Sequence, residues 1–211
     1  MDPENPVVRL CARGMANDDG ELFWRAWEVA SDDYERCVAA HYVARTRSTA
    51  GERLRWNLRC LELADAVGDA RVAGFYPSLH AALGQGYEEA GDGVRARAHF
   101  ERAAGHAGVL GEDGYGNWLR IAVAGGLRRT GAGVVRPEAV AGPLGELVAS
   151  LGERGEWRAL ALLLPAQLGD LGGEGDAVRL GAAVRMVLAT GWLGGEREWA
   201  AAREVVAALG G

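Results

Sequence analysis

The chain has 211 residues, a formal net charge of −6, 49% hydrophobic and 25% charged residues. That balance suits one folded domain or one elongated helical array and is unlike a disordered chain. The negative charge speaks against nucleic acid as the main partner, because phosphate binding needs clustered positive charge. All 23 basic residues are Arg, which reads as codon bias of a high-GC bacterial genome. Its physical consequence is that every cationic side chain is planar, permanently charged and suited to bidentate carboxylate pairing.

The acidic opening MDPENPVVRL has no basic segment followed by an apolar one, so it is not read as a signal peptide. No stretch approaches ~18 uncharged apolar residues, the length a membrane span needs. Cys11, Cys37 and Cys60 are widely spaced within apolar-periodic stretches, as buried free thiols of a reducing compartment would be. A cytoplasmic location is expected.

Helix signals run from end to end and strand alternation is absent. The pattern predicts helices near 6–16, 20–30, 32–47, 51–67, 74–90, 93–107, 115–129, 137–152, 155–169, 175–190 and 196–209. Ser31, Asp32 and Asp33 can cap the third and place carboxylates at its positive end. Pro77 falls in a first turn, where a missing N–H costs little. The Gly-rich linker 131–135 marks the expected boundary between an N-terminal part, 1–131, and a C-terminal part, 136–211. Prolines are read at segment edges, with Pro165 expected to kink its helix or end it early.

Residues 77–103 carry a position-specific pattern: Leu83-Gly84, then Tyr87, Gly91, Ala96, Phe100 and Ala103, with His80 ahead of them. This resembles a tetratricopeptide repeat in which His80 replaces the usual Trp. The small Gly84 and Ala96 sit where two antiparallel helices touch, and Tyr87 and Phe100 fill the adjoining spaces. Weaker matches precede it (Ala39, Ala40, Val43, Asn57, Leu61, Ala64) and follow it (Val123, Ala124, Leu127). Trp157 and Trp199, each preceded by Glu, echo one another further on. The expected fold is all-α: an irregular TPR-like stack of antiparallel helix pairs, an α-α superhelix of about 10–11 helices.

The resemblance implies binding on a concave face, which here takes in Tyr34, His41 and Arg45, then Gln85 and Glu88, then Trp118 and Arg128. A solvated polar stripe is the plainer account of the same residues. The aromatic-rich first half suggests core packing, or a pocket in which Trp24, Trp27, Asn57, Tyr76 and His80 converge around His41. His99 and His106 are expected to be exposed. No catalytic residue, metal ligand set or cofactor motif is assigned: Gly84-Gln85-Gly86 lies inside a predicted helix, and no nucleophile elbow or zinc spacing occurs.

Two functions follow as expectations. One is a regulatory or accessory module binding a peptide or protein partner, without nucleic acid or membrane. The other is a small cofactor-independent helical enzyme or small-molecule binder. The apolar stripe of Trp199, Ala202, Val206 and Leu209 in the last helix calls for cover, by folding back or by a homodimer contact.

Overall fold

The structure, a computed structural model, describes residues 2–210. Among them are eleven α-helices, two short 3-10 turns and no strand. The chain divides into two compact units between Leu110 and Gly111.

In the first unit the helices are α1 (Pro6–Asn17), α2 (Gly20–Val29), α3 (Asp33–Arg45), α4 (Ala50–Val67), α5 (Tyr76–Glu89) and α6 (Gly93–Gly105). Their starts are set locally. The side chains of Asn5, Asp19, Asp32, Thr49 and Asp92 each accept a backbone N–H from the first turn that follows. Each helix packs on the next in the chain, and α1 also reaches α3. Short connections and close packing make these helical hairpins.

The closest approaches use small residues. A Cβ on Gly84 would stand 2.8 Å from the Phe100 ring, so only glycine lets α5 and α6 meet there. Gly14 serves α1 and α2 in the same way beneath Phe23. Gly91, at φ +78°, turns the chain from α5 into α6 through the left-handed region. Ala39, Ala40, Ala64, Ala96 and Ala103 are fully buried. Cys37 on α3 and Cys60 on α4 are also buried, with their sulfurs 3.7 Å apart as free thiols.

The second unit comprises α7 (Gly114–Arg129), α8 (Glu138–Glu153), α9 (Trp157–Leu168), α10 (Glu174–Ala189) and α11 (Glu196–Gly210). Here α8 packs on α9 and α11, and α10 also packs on α9 and α11. The four helices therefore close on themselves around Leu144, Leu147, Leu151, Leu163, Leu180, Val184, Val187 and Val205. The apolar stripe of α11 turns into this core: Ala202 is buried, and Trp199, Val206 and Leu209 pack against it. The stripe that called for cover is covered within the chain.

α7 packs on α9. A Cβ on Gly169 would lie 2.8 Å from the Pro165 carbonyl oxygen and 3.0 Å from Arg120 Cβ, so the close passage depends on that glycine. This packing assigns α7 to the second unit, and the division therefore falls one helix ahead of the 131–135 linker. Prolines are not confined to helix edges either. Pro143 lies inside α8 and Pro165 inside α9, which ends at Leu168.

Glu198 on α11 bolts the ring shut. Its carboxylate accepts from Ser150 Oγ (2.6 Å), Arg154 Nε (3.0 Å) and the Gly194 N–H (2.7 Å). Burial alone would raise this carboxyl, but the Arg154, Ser150 and Gly194 bonds outweigh it and hold the group at about 2. Among the described residues, no helix is long and apolar enough to cross a membrane.

Candidate functional site

The expected concave-face residues are divided between the two units. In the first, Tyr34 is buried at the start of α3 with the Arg71 guanidinium 4.9 Å over its ring, and burial pushes its phenol up. It is a core residue and offers no groove surface. His41, one turn before exposed Arg45, meets the Tyr42 and Phe75 rings edge-on at 5.3 and 5.4 Å. Its Nδ1 is buried with no hydrogen-bond partner among the described residues, and burial with Arg45 pulls the imidazole down to about 4. Gln85 is exposed and donates to Glu89 at 3.1 Å, while Glu88 is half-buried.

The residues expected to converge around His41 separate into different clusters. Trp24 and Trp27 pack edge-on against Trp56 at 5.3 and 5.0 Å, with Arg47 over Trp24. Asn57 is buried on α4. Tyr76 and His80 belong instead to a stack that the sequence did not reveal. Tyr76 lies 4.9 Å from the His106 ring and 6.1 Å from His80, and its hydroxyl donates to Asp65 at 2.9 Å. Burial and that bond raise the Tyr76 phenol to about 12. His80 and His99 bring their Nδ1 atoms to 3.0 Å.

His99 is thus buried, contrary to the exposed position its neighbours suggested, while His106 is exposed. The missed signal was the facing position on α5, where His80 stands at the level of His99. Among the described residues, no three His, Cys, Asp or Glu side chains converge as a metal-ligand set.

In the second unit Trp118 is 60% exposed and tilts against Tyr115, whose ring lies 5.9 Å away. Arg128 is exposed and donates to the Leu168 carbonyl at the end of α9 (3.2 Å). A groove of about 650 Å³ runs between α9 and α10, with Glu112 and Asn117 on its α7 side. Its walls are Ala161, Leu162, Pro165 and Ala166 of α9, facing Gly175, Val178, Arg179, Ala182, Ala183 and Met186 of α10.

Sequence periodicity explains this surface. Positions 175, 178, 182 and 186 recur at three or four residues and form one stripe of α10. Opposite them, Leu180, Val184 and Val187 face the core. Val178 is 65% and Met186 52% exposed, so the stripe presents apolar surface to solvent beside small residues that leave room above them.

The polar groups of the groove are few and placed. Arg179 pairs with Asp176 and, at 3.5 Å, with Glu112. Pro165 has no N–H to return to the Ala161 carbonyl within α9. None of the groove residues was expected from the sequence as a site residue; Pro165 was read only as a kink or end of its helix. The signal present there was the apolar second stripe on α10, a helix already supplied with a core-facing one.

No family model, curated protein or solved structure matches this chain.

Proposed function

We propose that the chain is a protein-interaction module that seats an amphipathic helix of a partner protein in the α9–α10 groove. The observation that carries the reading is the apolar stripe Val178–Ala182–Met186, solvent-exposed and facing a wall of Ala161, Leu162 and Pro165. From 175 to 186 the stripe is about 16 Å long, or roughly three helical turns. Helix-in-groove recognition needs this combination of exposed apolar anchors and small floor residues. Arg179, Glu112 and Asn117 supply an orienting polar end.

In this reading the first unit is a scaffold of TPR-like hairpins. The support is that Gly84 lies under Phe100 and Ala96 is fully buried, as the repeat pattern asks of the α5–α6 pair. The groove volume also falls within the ~300–1,000 Å³ range of small-molecule sites. A ligand with a polar head and an apolar tail is therefore the second reading, favoured by Arg179, Glu112 and Asn117 beside the apolar walls.

A displayed library of amphipathic helices, about 12 residues long with randomised apolar positions, tests the first reading. Selected peptides are expected to lose at least about tenfold in affinity on Ala182→Arg or Val178→Glu, both at exposed positions, and to be indifferent to Arg45→Ala. Peptides that bind Ala182→Arg as well as the native chain overturn the groove assignment.

A further inference from the structure

The α5–α6 hairpin holds a buried imidazole pair that the groove reading does not use. His80 of α5 and His99 of α6 are 4% and 9% exposed, and their Nδ1 atoms lie 3.0 Å apart. At that distance one ring donates its Nδ1 proton and the other accepts, so the pair holds a single proton between the two nitrogens. Within the first unit α6 takes its principal packing from α5, and this hydrogen bond crosses that interface.

The charged and titratable surroundings offer little compensation for a second proton. From α6, Arg102 adds positive charge toward both rings. His106, just past α6, lies 5.8 Å from the His80 ring. From α4, Asp65 is the carboxylate on this side, and it accepts from the Tyr76 hydroxyl. On α5 itself Tyr76 and Tyr87 contribute neutral rings, Tyr87 stacking on His99 at 5.3 Å with the Arg95 guanidinium over the Tyr87 ring at 5.5 Å. The adjoining turns Ala73–Phe75 and Ala107–Val109 bring no titratable side chain.

We propose that the His80–His99 pair is an acid-operated latch: one shared proton holds α6 on α5, and charging both rings to imidazolium drives them apart and releases α6. With both rings protonated, two imidazolium donors would stand 3.0 Å apart with no acceptor between them, in a largely buried space. Release uncovers Phe100 and Leu83, both buried in the closed hairpin. The same burial, reinforced by the neighbouring His and Arg charges, holds His80 down to about 4 and depresses His99. The closed form is thus favoured above the ordinary imidazole value of about 6.5 and progressively lost as pH falls below it.

Hydrogen exchange along the full chain at about pH 7.5 and about pH 5 tests the latch. After correction for intrinsic exchange, α6 amides are expected to open at least about tenfold more at the lower pH, while α3 and α4 change little. His99→Asn keeps a polar side chain facing His80 but removes one titrating ring, and it is expected to diminish the acid response. Equal α6 protection at both pH values, or an undiminished acid response in His99→Asn, overturns the proposal. Should that variant fail to fold, imidazole nitrogen shifts of the native chain decide. A coupled titration of His80 and His99 supports the latch, and independent single steps near 6.5 overturn it.

Discussion

The two units solve the same packing problem with different side chains. In the first, helices follow one another in chain order, and their contacts run through Gly14, Gly84, a set of alanines and three cysteines beneath aromatic rings. In the second, four helices close into a ring filled by leucine and valine, with Trp192 and Trp199 only partly buried at its edge. Small contact residues bring backbones together and leave polar groups such as His80, His99 and Asn57 trapped between them. The leucine- and valine-filled second unit buries charges instead, each with partners: Arg120 with the Gly111 carbonyl and Glu112, Asp176 with Arg179, and Glu198 with Ser150, Arg154 and a backbone N–H. The first unit therefore traps imidazoles and an amide between close-packed helices, and the second buries charges that are paired.

That contrast can be broken most severely in the ring. Leu147→Ala is expected to destabilise the second unit by about 2–5 kcal/mol, since a fully buried side chain leaves a cavity that four mutually braced helices cannot close. Denaturant unfolding followed by exchange should show α8–α11 losing protection first; a loss centred on α3–α6 would contradict separate cores.

Gly84→Ala is expected to cost about 1–3 kcal/mol, because the added methyl meets the Phe100 ring at 2.8 Å. The companion Phe100→Leu should offset part of that cost, and a double-mutant cycle without coupling would remove the close-contact explanation.

Acid sharpens the comparison further. His80 lies below its ordinary value, so its contribution is present above about 6.5 and lost as pH falls toward about 4. Glu198 is also depressed, to about 2, so its contribution is present above about 4.5 and is lost only as pH falls from there toward 2. The first unit should loosen before the second in an acid titration read by residue-level NMR, and the opposite order would refute the assignment. The smallest effect belongs to Asp92→Ala, which removes the cap on the Arg95 N–H and should cost about 1 kcal/mol, confined to α6.

Much of the fold was legible because its signals are local. Asp32 and Thr49 cap the helices that the polar and apolar periods delimit, and each accepts an N–H three residues on. Pro77 likewise sits in the first turn of α5. Residues 77–103 were legible as a hairpin for the same reason, since Gly84, Ala96 and Phe100 are read against one another over a short span. Closure of the ring was not, because it depends on α11 meeting α8 across the intervening helices.

The candidate site was less legible still. Tyr34 looked like surface because its helical face also carries Arg45, yet Arg71 covers its ring. Glu198 meets Arg154 from 44 residues away, a separation that no local pattern reports. The groove depends on two stripes of one helix, and a sequence that marks both as apolar does not say which one the core takes.

Ring closure also sets an order of assembly during synthesis. The first unit adds each helix to the one just made, so its contacts form between neighbours as they leave the ribosome. The second must hold α8 with one flank bare until α11 emerges to cover it and Glu198 reaches Arg154. Throughout that interval Leu144, Leu147 and Leu151 lack one of their walls, and exposed apolar surface of that kind is prone to aggregate until the ring closes.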